Sequence, residues 1–262
     1  MIGLILGTSE GKEILSLLNK FTDEILISTA TSYGGELLHS YKYKYLNTKP
    51  LDFEALKKLL LDHKVSVLLD ASHPYATEVS TNCEKICKEL SIVYLRYERP
   101  AVAEKYRKHE KVIFVRDYEK LFDAINNIDE LKGSESVILN TTGSKNIIRL
   151  LSLGITSRIV HRILPSVEVM RQCIECGVKI EDIIAIKGPI GYELNIGFIQ
   201  QYGAKGIILK DSGIRGGTKE KIEAAIAKKL YVFVIERENE QHKNTFKSEK
   251  VLVDYIKENN LY

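Results

Sequence analysis

No apolar run in this 262-residue chain approaches the roughly 18 residues that a membrane-crossing helix needs. The first apolar segment, residues 2–6, has no basic flank and no small-residue cleavage pattern, so it does not read as a secretion signal. Excess charge is also lacking: the formal net charge is only +3, too little for bulk charge to imply nucleic acid as a partner. Cysteine is scarce, with four in all. Cys83 and Cys87 share a helical spacing and Cys173 and Cys176 form a C-x-x-C, but the two pairs lie much further apart than the roughly 15–20 residues of a zinc ribbon. They read as helix-face thiols, with no metal expected. These absences lead to the expectation of a cytoplasmic protein with neither membrane nor nucleic acid as partner.

Familiar catalytic strings are missing as well. There is no G-x-S-x-G elbow, no H-E-x-x-H and no paired-carboxylate motif of glycosidase type. A Tyr and Lys four apart occur only as Tyr45 and Lys49, in a strand–turn region before Pro50. The dinucleotide fingerprint G-x-G-x-x-G is replaced by Gly7-Thr8-Ser9-Glu10-Gly11, a weak signal because any tight strand-to-helix turn favours glycine. The tip of the second strand, Ser28-Thr29-Ala30-Thr31-Ser32, has no carboxylate for a ribose hydroxyl. A hydroxyl-rich tip tolerates an added phosphate and so favours NADP over NAD, though a plain solvated loop would look the same.

What is present is a regular alternation of short apolar runs with helical patterns, the mark of parallel sheets covered by helices. Strands are expected at residues 2–6, 24–29, 43–46, 66–69 and 92–95, and helices at 11–19, 53–62 and 76–89. Phe53, Leu56, Leu59 and Leu60 form the stripe of the second helix, with Asp52 as its N-cap. A second series has strands at 112–115, 136–140, 157–160, 183–185, 206–209 and 231–235. Its helices are expected at 118–126, capped by Asp117, and at 145–151, 166–175, 192–202 and 219–228. Residues 238–249 read as a loop and 251–258 as a last helix or strand. The charged stretch 98–110 around Pro100 suits a linker. The expected fold is therefore α/β: two Rossmann-like domains, 1–105 and 106–262, with mainly parallel sheets flanked by helices and an interdomain cleft.

Open parallel sheets bind ligands at the carboxyl ends of their strands, and polar residues gather there in this chain. Asp70-Ala71-Ser72-His73-Pro74-Tyr75-Ala76 follows one strand, with Pro74 suited to the first position of a helix. His73 and Tyr75 could donate protons or bind a carboxylate; alternatively Ser72 or His73 only caps the helix and Asp70 only holds a neighbouring loop. Arg96-Tyr97-Glu98-Arg99-Pro100 presents two arginines suited to carboxylates or phosphates, or to a salt bridge with Glu98. Thr141-Thr142-Gly143-Ser144-Lys145-Asn146, Arg162-Ile163-Leu164-Pro165, Lys187-Gly188-Pro189 and Lys210-Asp211-Ser212-Gly213 repeat the pattern of strand, polar or basic residue and turn. Backbone N–H groups where such turns open a helix favour anions.

Taken in order, these motifs resemble the precorrin-6A reductase family, including its cobalt-precorrin-6A branch. They span about positions 5 to 217, and D-A-S-H-P-Y-A and K-D-S-G are the specific strings. This chain departs at Leu6, where the family often has a glycine, and at Glu236-Arg237-Glu238, where it commonly has Arg-Pro. The resemblance implies an NADPH-dependent oxidoreductase of cobalamin biosynthesis that reduces one double bond of a corrin precursor. Under it, Thr8, Ser9 and Glu10 with Lys210, Asp211, Ser212, Gly213 and Gly217 would line the NADPH pocket between domains. Ser72, Arg96, Arg99, Lys145 and Arg162 would hold the substrate, His73 or Tyr75 would be the candidate proton donor, and other enzymes of the pathway would be candidate partners. A ligand-binding module without turnover and a two-domain tetrapyrrole synthase remain the alternatives.

Overall fold

The computed structural model describes residues 1–7, 11–237, 242 and 244–262, the side chains of Ser32 and Tyr33 apart. The chain divides into two compact units, Met1–Arg99 with Asn239–Tyr262, and Pro100–Glu238. The first opens with β1 (Ile2–Leu6), α1 (Gly11–Leu18), β2 (Ile25–Thr29), α2 (Ser32–Glu36), β3 (Tyr45–Asn47), α3 (Phe53–Asp62), β4 (Val67–Ala71), α4 (Thr77–Leu90) and β5 (Val93–Tyr97). The second contains β6 (Val112–Val115), α5 (Tyr118–Asn126), β7 (Val137–Asn140), α6 (Ile147–Ser152), β8 (Arg158–Ile163) and α7 (Val167–Glu175). It continues through β9 (Ile183–Ala185), α8 (Tyr192–Gln201), β10 (Ala204–Lys210), α9 (Thr218–Ala227) and β11 (Tyr231–Ile235). The chain then returns to the first unit as β12 (Thr245–Phe246) and α10 (Glu249–Glu258).

Each unit holds a six-stranded parallel sheet, in the orders β3-β2-β1-β4-β5-β12 and β9-β8-β7-β10-β11-β6. The two orders match position by position. Each runs outward through three strands, crosses back beside the first, and takes its last edge strand from a more distant part of the chain. The reversal falls between β1 and β4 in the first unit and between β7 and β10 in the second, which makes those strand ends the crevices of the two sheets.

The first strands are buried along their whole length, β1 without a polar side chain and β2 with only Ser28 and Thr29, because helices cover both sheet faces. Side chains alternate across a strand, so Ile2, Leu4, Leu6, Ile25, Ile27, Val67 and Leu69 share one core with Ile14, Leu15 and Leu18 of α1. Ile5, Leu26 and Leu68 share the other with Leu56 and Leu60 of α3 and Cys83, Ile86 and Cys87 of α4. In the second unit Leu139, Val160, Ile207, Leu209, Val232 and Val234 pack with Ile199 of α8 and Ile222, Ala224 and Ala225 of α9. The expected N-caps form: the Asp52 carboxylate accepts the Ala55 N–H at 2.8 Å and that of Asp117 accepts the Lys120 N–H at 2.7 Å.

Three expectations are corrected. The tail does not stay with the second domain: Leu252, Val253 and Ile256 of α10 complete the core over α1 and β1. Within residues 238–249, read as loop, Thr245 and Phe246 pair in parallel with Arg96 and Tyr97, since the edge of β5 offers unpaired backbone groups. Pro74 is not the first residue of a helix. The Tyr75 N–H donates to His73 Nδ1 at 3.3 Å and the Ala76 N–H to the His73 carbonyl at 2.8 Å, so a turn precedes α4. Among the described residues, no helix is long and apolar enough to cross a membrane.

Candidate functional site

At the first crevice, Gly7 follows β1 and its N–H donates to the Ala71 carbonyl at 3.2 Å. A Cβ on Gly7 would lie 3.6 Å from that carbonyl, 3.7 Å from the His73 nitrogen and 4.0 Å from Arg99 Nη2. Arg99 follows β5, two strands from β1, so its buried side chain reaches back across the end of β4 to the mouth of β1. His73 and Tyr75 stand on the turn between, half-buried, with ring centroids 5.9 Å apart. The structure thus brings Arg99, His73 and Tyr75 to the crevice where Gly7 leaves the backbone uncovered. Thr8, Ser9 and Glu10 lie outside the described residues.

Asp70 and Arg96 have a different place. Asp70 belongs to β4 and is wholly buried; its carboxylate lies 2.8 Å from Arg96 Nη1, with side-chain exposures of 0% and 5%. It also accepts the Tyr94 hydroxyl at 2.8 Å and the Ser72 N–H at 2.9 Å. Arg96 donates further to Ser72 Oγ at 2.9 Å. A buried carboxylate with an arginine, a phenol and an amide around it is satisfied internally. Arg96 and Ser72, expected to hold substrate, therefore hold the turn bearing His73, because a charge so deeply buried must be paired within the protein. Burial and the Asp70 charge push the Tyr94 hydroxyl well above the usual phenol range.

At the second crevice, Thr141 donates through both its N–H and its hydroxyl to the Ile208 carbonyl, at 2.8 and 2.9 Å. The Asn140 carboxamide oxygen accepts from the N–H and the hydroxyl of Thr142, and its nitrogen lies 3.1 Å from His161 Nδ1. Burial pushes His161 down to about 4, with Asp182 opposing. Lys145 is exposed at the rim. Lys210 is half-buried, and burial first, then the Lys145 charge, lowers its pKa from the ordinary lysine value.

Asp211, expected to touch the cofactor, is turned inward. Its carboxylate accepts the N–H groups of Val102 at 2.7 Å, Ala103 at 2.8 Å and Gly213 at 3.0 Å, and it is 5% exposed. The Ser212 N–H donates to Thr218 Oγ at 3.0 Å, tying the loop to the first turn of α9. Gly213 and Gly217 have φ of +73° and +69°; a Cβ on Gly217 would approach Pro189 Cβ to 3.2 Å. A left-handed backbone pressed against a neighbour is where glycine is required.

Arg162, next to last in β8, donates from Nη1 to Asn195 Oδ1 at 3.1 Å; burial lowers it to about 10. Sequence reasoning missed Asn195, which donates to the carbonyls of Ile190 and Gly191, and Lys221, whose Nζ donates to the Gly216 carbonyl at 3.2 Å. A signal for Lys221 was available. Thr218, Lys221, Ile222 and Ala225 fall at i, i+3, i+4 and i+7, so Lys221 lies in the buried stripe of α9.

Two doubly wound parallel sheets, with polar and cationic groups at both points of strand reversal, define an α/β protein of Rossmann-like type. The chain matches the family model described as "Precorrin-6x reductase CbiJ/CobK" over residues 1–257, and it belongs to that family. It is 31% identical to the cobalt-precorrin-6A reductase of Methanocaldococcus jannaschii, covering 95% of both chains. It is 32% identical to that of Methanococcus maripaludis, covering 96% of both. The solved structure titled "CobK precorrin-6A reductase" superposes with a TM-score of 0.76 at 15% identity, covering 98% of this chain and 96% of that one, which shows the same fold.

Proposed function

We propose that this chain reduces one ring double bond of cobalt-precorrin-6A with NADPH, as a step of cobalamin biosynthesis. Its membership of a reductase family along residues 1–257 carries the reaction type. The cobalt form of the substrate rests on identity and coverage: relatives named for it are 27–32% identical over 87–96% of this chain, whereas the precorrin-6A reductase of Mycobacterium tuberculosis is 24% identical over 70% of it. Cobalt here belongs to the substrate.

The residues fit a phosphate-bearing cofactor. The loop 210–217 joins a strand end to α9 with two left-handed glycines; Lys210 opens it and Lys221 donates to its Gly216 carbonyl. Bound NADPH would supply the electron pair as hydride. The protein would bind, orient and exclude water, and His73 or Tyr75 would hold the proton that balances the reduction. Arg99 and Lys145 would meet the acidic side chains of the macrocycle. Thr8, Ser9 and Glu10, which stand between Gly7 and Gly11 in the sequence, would contribute to cofactor binding.

Titration of the protein with NADPH and NADH, followed by NADPH absorbance with and without cobalt-precorrin-6A, tests this reading. The expected outcome is substrate-dependent oxidation of NADPH in preference to NADH. Substituting Lys210→Ala should raise the KM for NADPH far more than that for the corrin. NADPH that binds but is never consumed would favour a non-catalytic binding module, and absence of any dinucleotide binding would exclude the reductase.

A further inference from the structure

Lys221 is a buried lysine, 5% exposed, on the buried face of α9 in a unit whose other lysines are half-buried or exposed. Its ammonium donates to one neutral oxygen, the Gly216 carbonyl. Arg162 is partly buried and likewise donates to a neutral oxygen, that of Asn195. One carbonyl connects the two: Ile190 O accepts from Asn195 Nδ2 at 3.3 Å and lies 3.7 Å from the Cβ position of Gly217, whose own carbonyl accepts the Lys221 N–H. Two cations that act on one another are thus withdrawn from water with carbonyl hydrogen-bond partners, while the carboxylates of Glu220 and Asp211 act on Lys221 without bonding to it. Such desolvation is costly unless an opposite charge arrives, and a pair of cations beside a glycine loop is the arrangement that takes one.

We propose that Arg162 and Lys221 form an anion subsite at the carboxyl edge of the second sheet, which takes a phosphate or carboxylate group of a bound ligand. The subsite rests on the reductase reading only for which ligand carries that anion: a nucleotide phosphate or an acidic side chain of the tetrapyrrole. Arg162 from β8, Glu220 beside Lys221 on α9 and Asp211 after β10 are the charged groups that act on Lys221. Burial, with Arg162 acting in the same direction, brings its ammonium down to about 7, against the weaker pull of Glu220 and Asp211. At pH 8 an arriving anion therefore returns a proton to Lys221, which a lysine that merely clamps Gly216 would not show.

The test is calorimetric binding of three probes, NADP+, inorganic pyrophosphate and the stable tetrapyrrole carboxylate uroporphyrin, at pH 8 in two buffers of different ionisation enthalpy. The wild-type protein should take up close to one proton per anion engaged there, by the ordinary titration of such a group. Lys221→Met should abolish that uptake and weaken at least one probe by about thirtyfold, as loss of a buried charged partner does. Lys221→Arg should recover most of the affinity. Weakening of NADP+ and pyrophosphate assigns the anion to the nucleotide, and weakening of uroporphyrin alone assigns it to the tetrapyrrole.

A loss below about fivefold for every probe, or wild-type protein that binds none of them, overturns the subsite. Should Lys221→Met fail to fold, proton uptake by the wild-type protein and the affinities of Arg162→Gln decide by the same thresholds. Anion binding that depends on Lys221 without any NADPH oxidation keeps the subsite and removes the reductase reading. Turnover with unchanged binding by Lys221→Met does the reverse.

Discussion

Arg96 meets Asp70 at 2.8 Å with both side chains out of reach of solvent, and this pair organises the end of β4. Through Ser72, whose N–H donates to Asp70 and whose hydroxyl accepts from Arg96, it fixes where the chain leaves the sheet and so where His73 and Tyr75 stand. An arginine that looked like a ligand contact in the sequence is a positioning residue. Arg99, three residues on, reaches the mouth of β1 instead.

Removing one partner of that pair leaves an uncompensated buried charge. Arg96→Ala and Asp70→Ala should each destabilise the protein by about 3–5 kcal/mol, read from urea denaturation midpoints. The double variant should lose much less than the sum, because the charge left by one substitution is removed by the other. Additive losses would mean that the two side chains act independently.

Asp211 serves the second unit similarly. Substituting Asp211→Ala orphans the N–H groups of Val102, Ala103 and Gly213, each costing about 1–3 kcal/mol if no water replaces the carboxylate. Hydrogen exchange should report faster opening of residues 100–103 and 211–217 with little change in β7 or β8. The affinity for NADPH should fall with it, through the loop rather than through a lost contact.

Much of this was legible in the sequence because local and tertiary signals agreed. Continuous apolar strands, the aspartate caps of α3 and α5 and glycine turns at strand ends all pointed to parallel α/β units. The return of β12 and α10 to the first unit was not legible: a two-residue strand has no periodicity, and a helix stripe does not say which core it covers. At the site, residue types at strand ends were read correctly as polar clusters, but Arg96 and Arg99 look alike in a string. Only burial against Asp70 separates them. Lys221 was overlooked because a lysine on a helix ordinarily reads as solvated.

Gly7 separates binding from folding. The Cβ added by Gly7→Ala would meet the Ala71 carbonyl and the His73 nitrogen at ordinary contact distances of 3.6 and 3.7 Å, so no neighbour has to move. The variant should melt within a few degrees of the wild type, or slightly higher from reduced chain entropy, a gain of about 0.4–1 kcal/mol. The same methyl fills the place where Arg99 Nη2 approaches, 4.0 Å away, and should weaken ligand binding at this crevice about tenfold. Unchanged affinities for both NADPH and the corrin would remove the mouth of β1 from the site.

His161 gives the fold a pH dependence with a fixed sign. Its imidazole is 1% exposed and lies against Asn140, and burial lowers its pKa from 6.5 to about 4. The unfolded chain therefore binds a proton below about 6.5 that the folded chain refuses until about 4, so the contribution of neutral His161 is complete above 6.5 and declines as pH falls through that window. The drop amounts to about 3 kcal/mol at full extent. Carboxylates titrate in the same range, so the measurement is the difference between wild type and His161→Gln in urea midpoints at pH 7.5 and 4.5. The variant should be the less stable protein at the higher pH, where its side chain must repack against Asn140, and the gap should narrow or reverse at the lower. A gap independent of pH would mean that His161 titrates alike in the folded and unfolded chain, the pull of Asp182 cancelling its burial, and a gap that widens at the lower pH would mean that Asp182 outweighs it.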